Sequence, residues 1–424
     1  MRKLKVAVVG AGSTYTPELI DGFMIRRDKL NVTEFYMMDI DDRKNSIVSA
    51  LARRMVKARG LDIPVIETSD LEIALAGADY VVAQIRVGKL PARILDEKIP
   101  LKYDLIGQET TGAGGFFKAL RTLPVIENVG RIIKEKAPNA WLINFSNPSG
   151  ILMEMLAQSG NTRCVGLCNA PIGMQKNLRR ITGDPTDFDF DYVGLNHFNW
   201  VTSVKANGKD VMPELLEKDA TVGMTPLPSA DFLRSIGGIP SYYLSYFYNK
   251  DKSVADAKKR ATTRGEDCVA IEEDLLKLYQ DENLTSKPAL LDKRGGAFYS
   301  EAAVSLIDAI ENDTNTVHVV NVDHAGTIPF LGKGEVGEVK CIVGKDGPKP
   351  LPLMNLNVNS HIVGMIQAVK AYEKLAVKAG LYGDRDAAIA ALMTNPLVVD
   401  CHKAKAVFED LLEAHKEYLP RFFK

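Results

Sequence analysis

Short apolar runs alternate with longer amphipathic stretches through the first 170 residues. The runs are Leu4 to Val9, Glu34 to Met38, Pro64 to Glu67, Ala78 to Ile85, Trp141 to Phe145 and Arg163 to Leu167. Their length and β-branched content predict buried strands, and the stretches between them, such as Arg43 to Arg59, predict helices. Regular β-α alternation predicts an α/β fold, a Rossmann-type doubly wound parallel sheet. The run Tyr192 to Leu195 reads as one more strand, and beyond Trp200 the pattern changes. Val201 to Val211 reads as a hairpin turning at Asn207-Gly208. Helical periodicity then dominates, interrupted by strands at Thr316 to Val322 and Glu335 to Val343 and closing in helices near 358–380, 384–394 and 402–418. The expected organisation is a nucleotide-binding domain over 1–168 and a mixed α+β C-terminal domain over 169–424.

Candidate chemistry gathers at the carboxyl ends of these strands, where ligands bind in open α/β sheets. The first strand empties into Gly10-Ala11-Gly12-Ser13-Thr14-Tyr15-Thr16-Pro17. Two glycines there permit a tight turn and close approach to a pyrophosphate at the following helix N-terminus, although Tyr15 stands where a third glycine is usual. Asp39 closes the second strand, placed either to bind a ribose hydroxyl of NAD or to cap the next helix. Arg93 suits a phosphate or a carboxylate, and equally a solvated helix face. Gly107-Gln108-Glu109-Thr110-Thr111-Gly112 is a polar glycine-rich loop of the kind that carries function or merely connects. Asn147 is placed to meet a ribose or substrate hydroxyl, or to cap a helix. Cys168 and His197 each follow a strand and could share one transition metal, or be ordinary buried residues. The run Tyr242-Tyr243-Leu244-Ser245-Tyr246-Phe247-Tyr248 is either an aromatic core face or the source of a phenolic base. Thr262-Thr263-Arg264-Gly265-Glu266 and Lys293-Arg294-Gly295-Gly296-Ala297 each open a further helix.

Composition narrows the class. The 424 residues are 46% hydrophobic and 25% charged, ordinary for a globular protein. A net charge of −1 gives no electrostatic case for nucleic acid or an anionic membrane as partner. No apolar stretch reaches the length of a membrane span. The amino-terminal residues enter a strand without the features of a signal peptide. Five scattered cysteines with no CxxC pair fit a reducing cytoplasm.

Taken together, Gly10 to Pro17, Arg86-Val87-Gly88, Gly107 to Gly112, Asn144-Phe145-Ser146-Asn147-Pro148, Cys168-Asn169-Ala170-Pro171 and Asn196-His197-Phe198 resemble glycoside hydrolase family 4 over nearly the whole chain. The resemblance implies an architecture similar to lactate and malate dehydrogenases, NAD and Mn²⁺ as cofactors, and a homodimer or homotetramer. It implies that Gly10, Gly12, Ser13, Thr14 and Asp39 serve NAD, and that Cys168 and His197 ligate the metal. Asn147 and Asn169 are implied to contact the sugar, and Arg93 and Arg264 its 6-phosphate. Tyr243 matches the family's base, with Tyr246 second. Asn169 after the metal cysteine resembles members acting on 6-phospho-β-glucosides, where members acting on α-anomers carry Asp; here Ala170 follows where Val is typical. The implied reaction is oxidation at C3, deprotonation at C2, elimination of the aglycone and addition of water, a route outside two-carboxylate glycosidase chemistry. The competing expectations are a 6-phospho-α-glucosidase, an NAD-dependent dehydrogenase of a sugar phosphate or hydroxy acid, and a nucleotide-sensing binding protein.

Overall fold

The structure is a computed structural model that describes residues 1–217, 229–294 and 299–424; Gly295, Gly296 and Ala297 lie outside the described residues. Six strands form its parallel core: β1 (Leu4–Val9), β2 (Val32–Met38), β3 (Val65–Thr68), β4 (Tyr80–Ala83), β5 (Trp141–Asn144) and β6 (Cys164–Gly166). They lie side by side as 3-2-1-4-5-6, every pairing parallel. This is the doubly wound order, with its topological switch between β1 and β4. Both faces are covered: Val6 and Val8 enter one apolar cluster while Ala7 and Val9 enter the other. Burial on both sides explains why the strands read as continuous apolar runs rather than alternating ones.

Four strands form a second sheet: β7 (Phe188–Leu195), β8 (Phe198–Ala206), β9 (Lys209–Asp210) and β10 (Ile239–Pro240). The turn at Asn207-Gly208 does join β8 to β9, but the long partner of β8 is β7. Leu195 pairs with Phe198, so Asn196 and His197 are the two-residue turn of that hairpin. His197 adopts φ +61°, in the left-handed region that non-glycine residues seldom occupy.

Three later strands, β11 (Thr316–Asp323), β12 (Val336–Gly344) and β13 (Gly347–Pro350), do not form a sheet of their own. They extend the parallel sheet antiparallel beyond β6, through the pair Asn321 and Gly166, to nine strands. Residues on both sides of position 168 therefore share one sheet. The closing helices are Ser360–Tyr382, Arg385–Thr394 and Cys401–Ala414. Among the described residues no helix is long and apolar enough to cross a membrane.

Candidate active site

At the switch point, Gly10 turns with φ +89°, and its N–H and that of Ala11 donate to the Met38 carbonyl at 2.9 and 3.0 Å. Asp39 accepts from the Gly12 N–H at 2.8 Å and the Asp41 N–H at 2.9 Å. The helix cap is Asp41, which accepts from Lys44 N–H, so capping is not the task of Asp39. Burial raises the Asp39 pKa, opposed by those two backbone N–H groups. The Ser13 hydroxyl accepts from Tyr15 N–H at 3.3 Å. Thr14 is buried and its hydroxyl has no partner among the described residues. The loop thus presents a fixed backbone and a carboxylate at the mouth of the helix Thr16–Ile25.

Cys168 follows β6 at the start of the helix Ala170–Ile181. Its thiol is buried, accepts from Ala170 N–H at 3.4 Å, and is hydrogen-bonded by the Asn196 side chain. Burial and the neighbouring Glu338 push the thiol pKa up. His197 is buried too, its Nδ1 has no partner, and burial lowers its pKa to about 3. The Tyr243 ring lies 4.0 Å from the His197 ring and is near enough to Cys168 to be coupled to it electrostatically. Burial and Tyr242 raise the Tyr243 phenol well above its ordinary value. Tyr246 belongs to a different neighbourhood, beside Glu97 and Arg93 and against Ile106, Val254 and Leu397. The structure therefore brings Cys168, His197 and Tyr243 together and leaves Tyr246 apart.

This trio fits a divalent cation. A thiol donor, an imidazole nitrogen without a partner and a phenol stand in one buried place, and all three are neutral there without added positive charge. A cation bound there favours thiolate and phenolate. Asn169 Oδ1 is 4.0 Å from the Cys168 sulfur. The Asn147 side chain donates to the Phe145 carbonyl at 3.3 Å, and Pro148, not Asn147, occupies the cap position of the next helix.

A cationic pocket adjoins the trio. Glu109 sits among Arg86, Arg93 at 2.9 Å and Lys118 at 2.9 Å. Those three cations hold its carboxyl well below the usual range despite burial. Burial and Arg86 push the Lys118 ammonium down to about 7. Arg93 is not on a solvated face: it is buried on the helix Lys89–Leu101 and also binds Glu97 at 2.7 Å. Gly114 allows this, since a Cβ there would lie 2.4 Å from the Asp96 carbonyl of that helix. Arg264 begins the helix Arg264–Tyr279 behind a Thr263–Glu266 capping box and donates to the Lys293 and Arg294 carbonyls. Arg294 donates to the Cys268 sulfur at 3.4 Å, as Arg93 does at 3.7 Å, and stacks over Tyr15 of the glycine loop. One guanidinium thus links pocket and nucleotide loop. The pocket carries more positive than negative charge, as an anionic group requires.

Sequence reasoning passed over Lys118 and Glu338 and gave no role to Asn196 or Arg294, although both stand in segments it singled out. Lys118 left a faint signal, one cation inside Phe116-Phe117-Lys118-Ala119-Leu120. Glu338 left another, a charge within the apolar strand β12.

Fold and site define a Rossmann-type enzyme with a buried thiol–imidazole–phenol centre beside a cationic pocket. The chain belongs to family 4 of the glycosyl hydrolases: the family model "Family 4 glycosyl hydrolase" matches residues 5–183 and that of its C-terminal domain matches 192–398. It is 41% identical over 436 residues to the probable 6-phospho-beta-glucosidase of Bacillus subtilis (strain 168), covering 99% of this chain and 98% of that one. The 6-phospho-beta glucosidase from Thermotoga maritima, solved with manganese, NAD⁺ and glucose-6-phosphate, superposes with a TM-score of 0.88 at 34% identity, covering 98% of this chain and 99% of that chain. Lactate dehydrogenase from Eimeria maxima shares the fold alone, with a TM-score of 0.57 at 16% identity, covering 90% of this chain and 96% of that one.

Proposed function

We propose that this chain is a 6-phospho-β-glucosidase that uses NAD and Mn²⁺ or another divalent metal. It releases glucose 6-phosphate and an aglycone from substrates such as phosphorylated cellobiose or aryl and alkyl 6-phospho-β-glucosides. The observation that carries the reading is the Cys168, His197 and Tyr243 cluster beside the cationic pocket of Arg86, Arg93 and Lys118. The relatives named above support the β-anomer, as does Asn169.

In this reading Gly10, Gly12, Ser13, Thr14 and Asp39 hold NAD, Cys168 and His197 hold the metal, and Arg93 and Arg264 hold the 6-phosphate. Asn147 and Asn169 orient the sugar hydroxyls. When bound, NAD supplies a reversible hydride acceptor for C3 of the sugar, and the divalent ion supplies the Lewis acidity that makes the C2 proton removable. The Tyr243 phenolate takes that proton from C2 and later returns it. The bond from C1 to the aglycone breaks between these two transfers, and water adds at C1. Asn169 orients without donating a proton, because an amide has no acid proton near neutral pH. Residues 1–168 act as the nucleotide domain and also bring Arg93, Asn147 and Cys168 to the site, while 169–424 form the substrate and metal domain that completes it with His197, Tyr243 and Arg264; the two share one sheet. The enzyme works in the cytoplasm, where its five free cysteines, four of them buried, stay reduced. It works as a homodimer or homotetramer, for which exposed Tyr382 and Met393 offer apolar contact.

The test is hydrolysis of a chromogenic 6-phospho-β-glucoside with and without NAD and Mn²⁺, beside the α-anomer and the unphosphorylated β-glucoside. Release from the phosphorylated β-substrate alone, needing both additions and leaving no net NADH, is the expected result. Cleavage of the α-anomer instead would move the substrate assignment to 6-phospho-α-glucosides. Steady NADH accumulation would make the chain a dehydrogenase.

A further inference from the structure

The side chain of Glu338 lies buried on β12, in the C-terminal half, and accepts four hydrogen bonds. Tyr192 OH donates at 3.1 Å, Asn196 Nδ2 at 3.1 Å, Asn199 Nδ2 at 2.7 Å and Asn321 Nδ2 at 3.0 Å. Three of these donors lead directly to the segments that carry the thiol and the imidazole. Asn196 is the residue before His197 in the hairpin turn, and its side chain also bonds the Cys168 thiol. Asn199 spans the same turn, donating to the Leu195 carbonyl at 3.1 Å. Asn321 donates to the Gly166 carbonyl at 3.3 Å, two residues before Cys168.

We propose that Glu338 is a positioning residue that sets the separation and orientation of Cys168 and His197 by tying the end of β6 and the β7–β8 turn to one carboxylate. The inference rests on the metal reading above. Cys168 and His197 follow strands of different sheets, so no shared backbone ladder holds them in register. His197 also sits in the left-handed region, which a non-glycine residue keeps only when its surroundings hold it. The same carboxylate reaches both sides of that gap.

The orphaned acceptors argue for a task other than stability. The Oδ1 atoms of Asn196, Asn199 and Asn321 are all buried without a partner among the described residues. Three amides have turned their nitrogens to Glu338 and left their oxygens unmatched, an arrangement poor for stability. Residues behind metal ligands orient them and tune the site, and are worth on the order of 10–100-fold in metal affinity.

The experiment measures Mn²⁺ binding to the purified full chain by electron paramagnetic resonance, NAD binding by calorimetry, and Tm. The variants are Glu338→Gln, Cys168→Ser, His197→Ala and Val339→Ala. Val339 is a buried neighbour on the same strand whose side chain enters the core instead. Expected for Glu338→Gln is a Mn²⁺ Kd weakened on the order of 10–100-fold, unchanged NAD affinity, and activity recovered by raising Mn²⁺. Val339→Ala should lower Tm and leave the Mn²⁺ Kd unmoved. A Glu338→Gln Kd within about twofold of wild type, while Cys168→Ser and His197→Ala abolish binding, overturns this inference alone. Equal Mn²⁺ binding by wild type, Cys168→Ser and His197→Ala overturns the metal reading and this inference with it. Should Glu338→Gln not fold, Asn196→Ser and Asn321→Ser each cut one arm and carry the same comparison.

Discussion

The imidazole of His197 and the phenol ring of Tyr243 lie 4.0 Å apart, their planes 31° from parallel. The base is thereby set against a residue that holds the metal in the proposed mechanism. Both groups are neutral when the site is empty, because burial lowers the imidazole pKa and raises the phenol pKa. Tyr243→Phe keeps the stacking and removes only the proton acceptor. It should lower kcat by about 10²- to 10⁴-fold with KM little changed. Exchange of a C2 deuterium label with solvent, followed by NMR, should disappear in parallel. Retained exchange would assign the base elsewhere.

Arg93 and Arg264 should separate under substitution, although both are assigned to the phosphate. Arg264 donates to the Lys293 and Arg294 carbonyls rather than to a buried carboxylate, so Arg264→Ala should raise KM for the phosphorylated substrate by about 10²-fold, the loss of a charge-assisted contact. Its Tm should barely move. Arg93 also neutralises buried Glu97 and shares Glu109. Arg93→Ala should add a stability loss of about 3–5 kcal/mol, read by urea unfolding. Equal Tm for the two variants would contradict the buried network.

Asp39 is expected to set cofactor choice. Asp39→Ala frees the Gly12 and Asp41 N–H groups and removes the carboxylate that repels a 2′-phosphate. NAD affinity should fall by about tenfold while NADP affinity rises, both by calorimetry. A parallel loss for both nucleotides would reduce Asp39 to a loop brace.

Acid should destabilise the fold through His318. Burial lowers its folded pKa to about 4, against an unfolded value near 6.5. Below pH 6.5 the unfolded chain binds a proton that the folded chain refuses, so stability drains as pH falls from about 6.5 to about 4. The loss from this one group is about 2 kcal/mol, allowing for its partial exposure. In His318→Gln that part of the pH dependence should vanish, as read from urea unfolding at pH 7.5 and pH 4.5. An unchanged slope would remove His318 from the account.

Local pattern by itself determined much of this protein. The apolar runs marked all six parallel strands, because burial on both faces leaves an uninterrupted local signature. Gly10, Gly12 and Asp39 were legible because a strand-to-helix turn is built from neighbouring residues. Cys168 and His197 were legible as strand-end residues, and motif resemblance supplied their partnership. Tertiary structure alone decided which charges meet. Glu109 is neutralised by Arg86, Arg93 and Lys118, which come from separate segments with no shared period. It also decided that β11 to β13 extend the first sheet, since edge pairing between strands distant in sequence leaves no local mark. Glu338 stands 142 residues from Asn196, and only the register of β12 beside the hairpin brings its carboxylate to the turn. Periodicity reports how each segment faces the core; which segments then touch depends on packing across the whole chain.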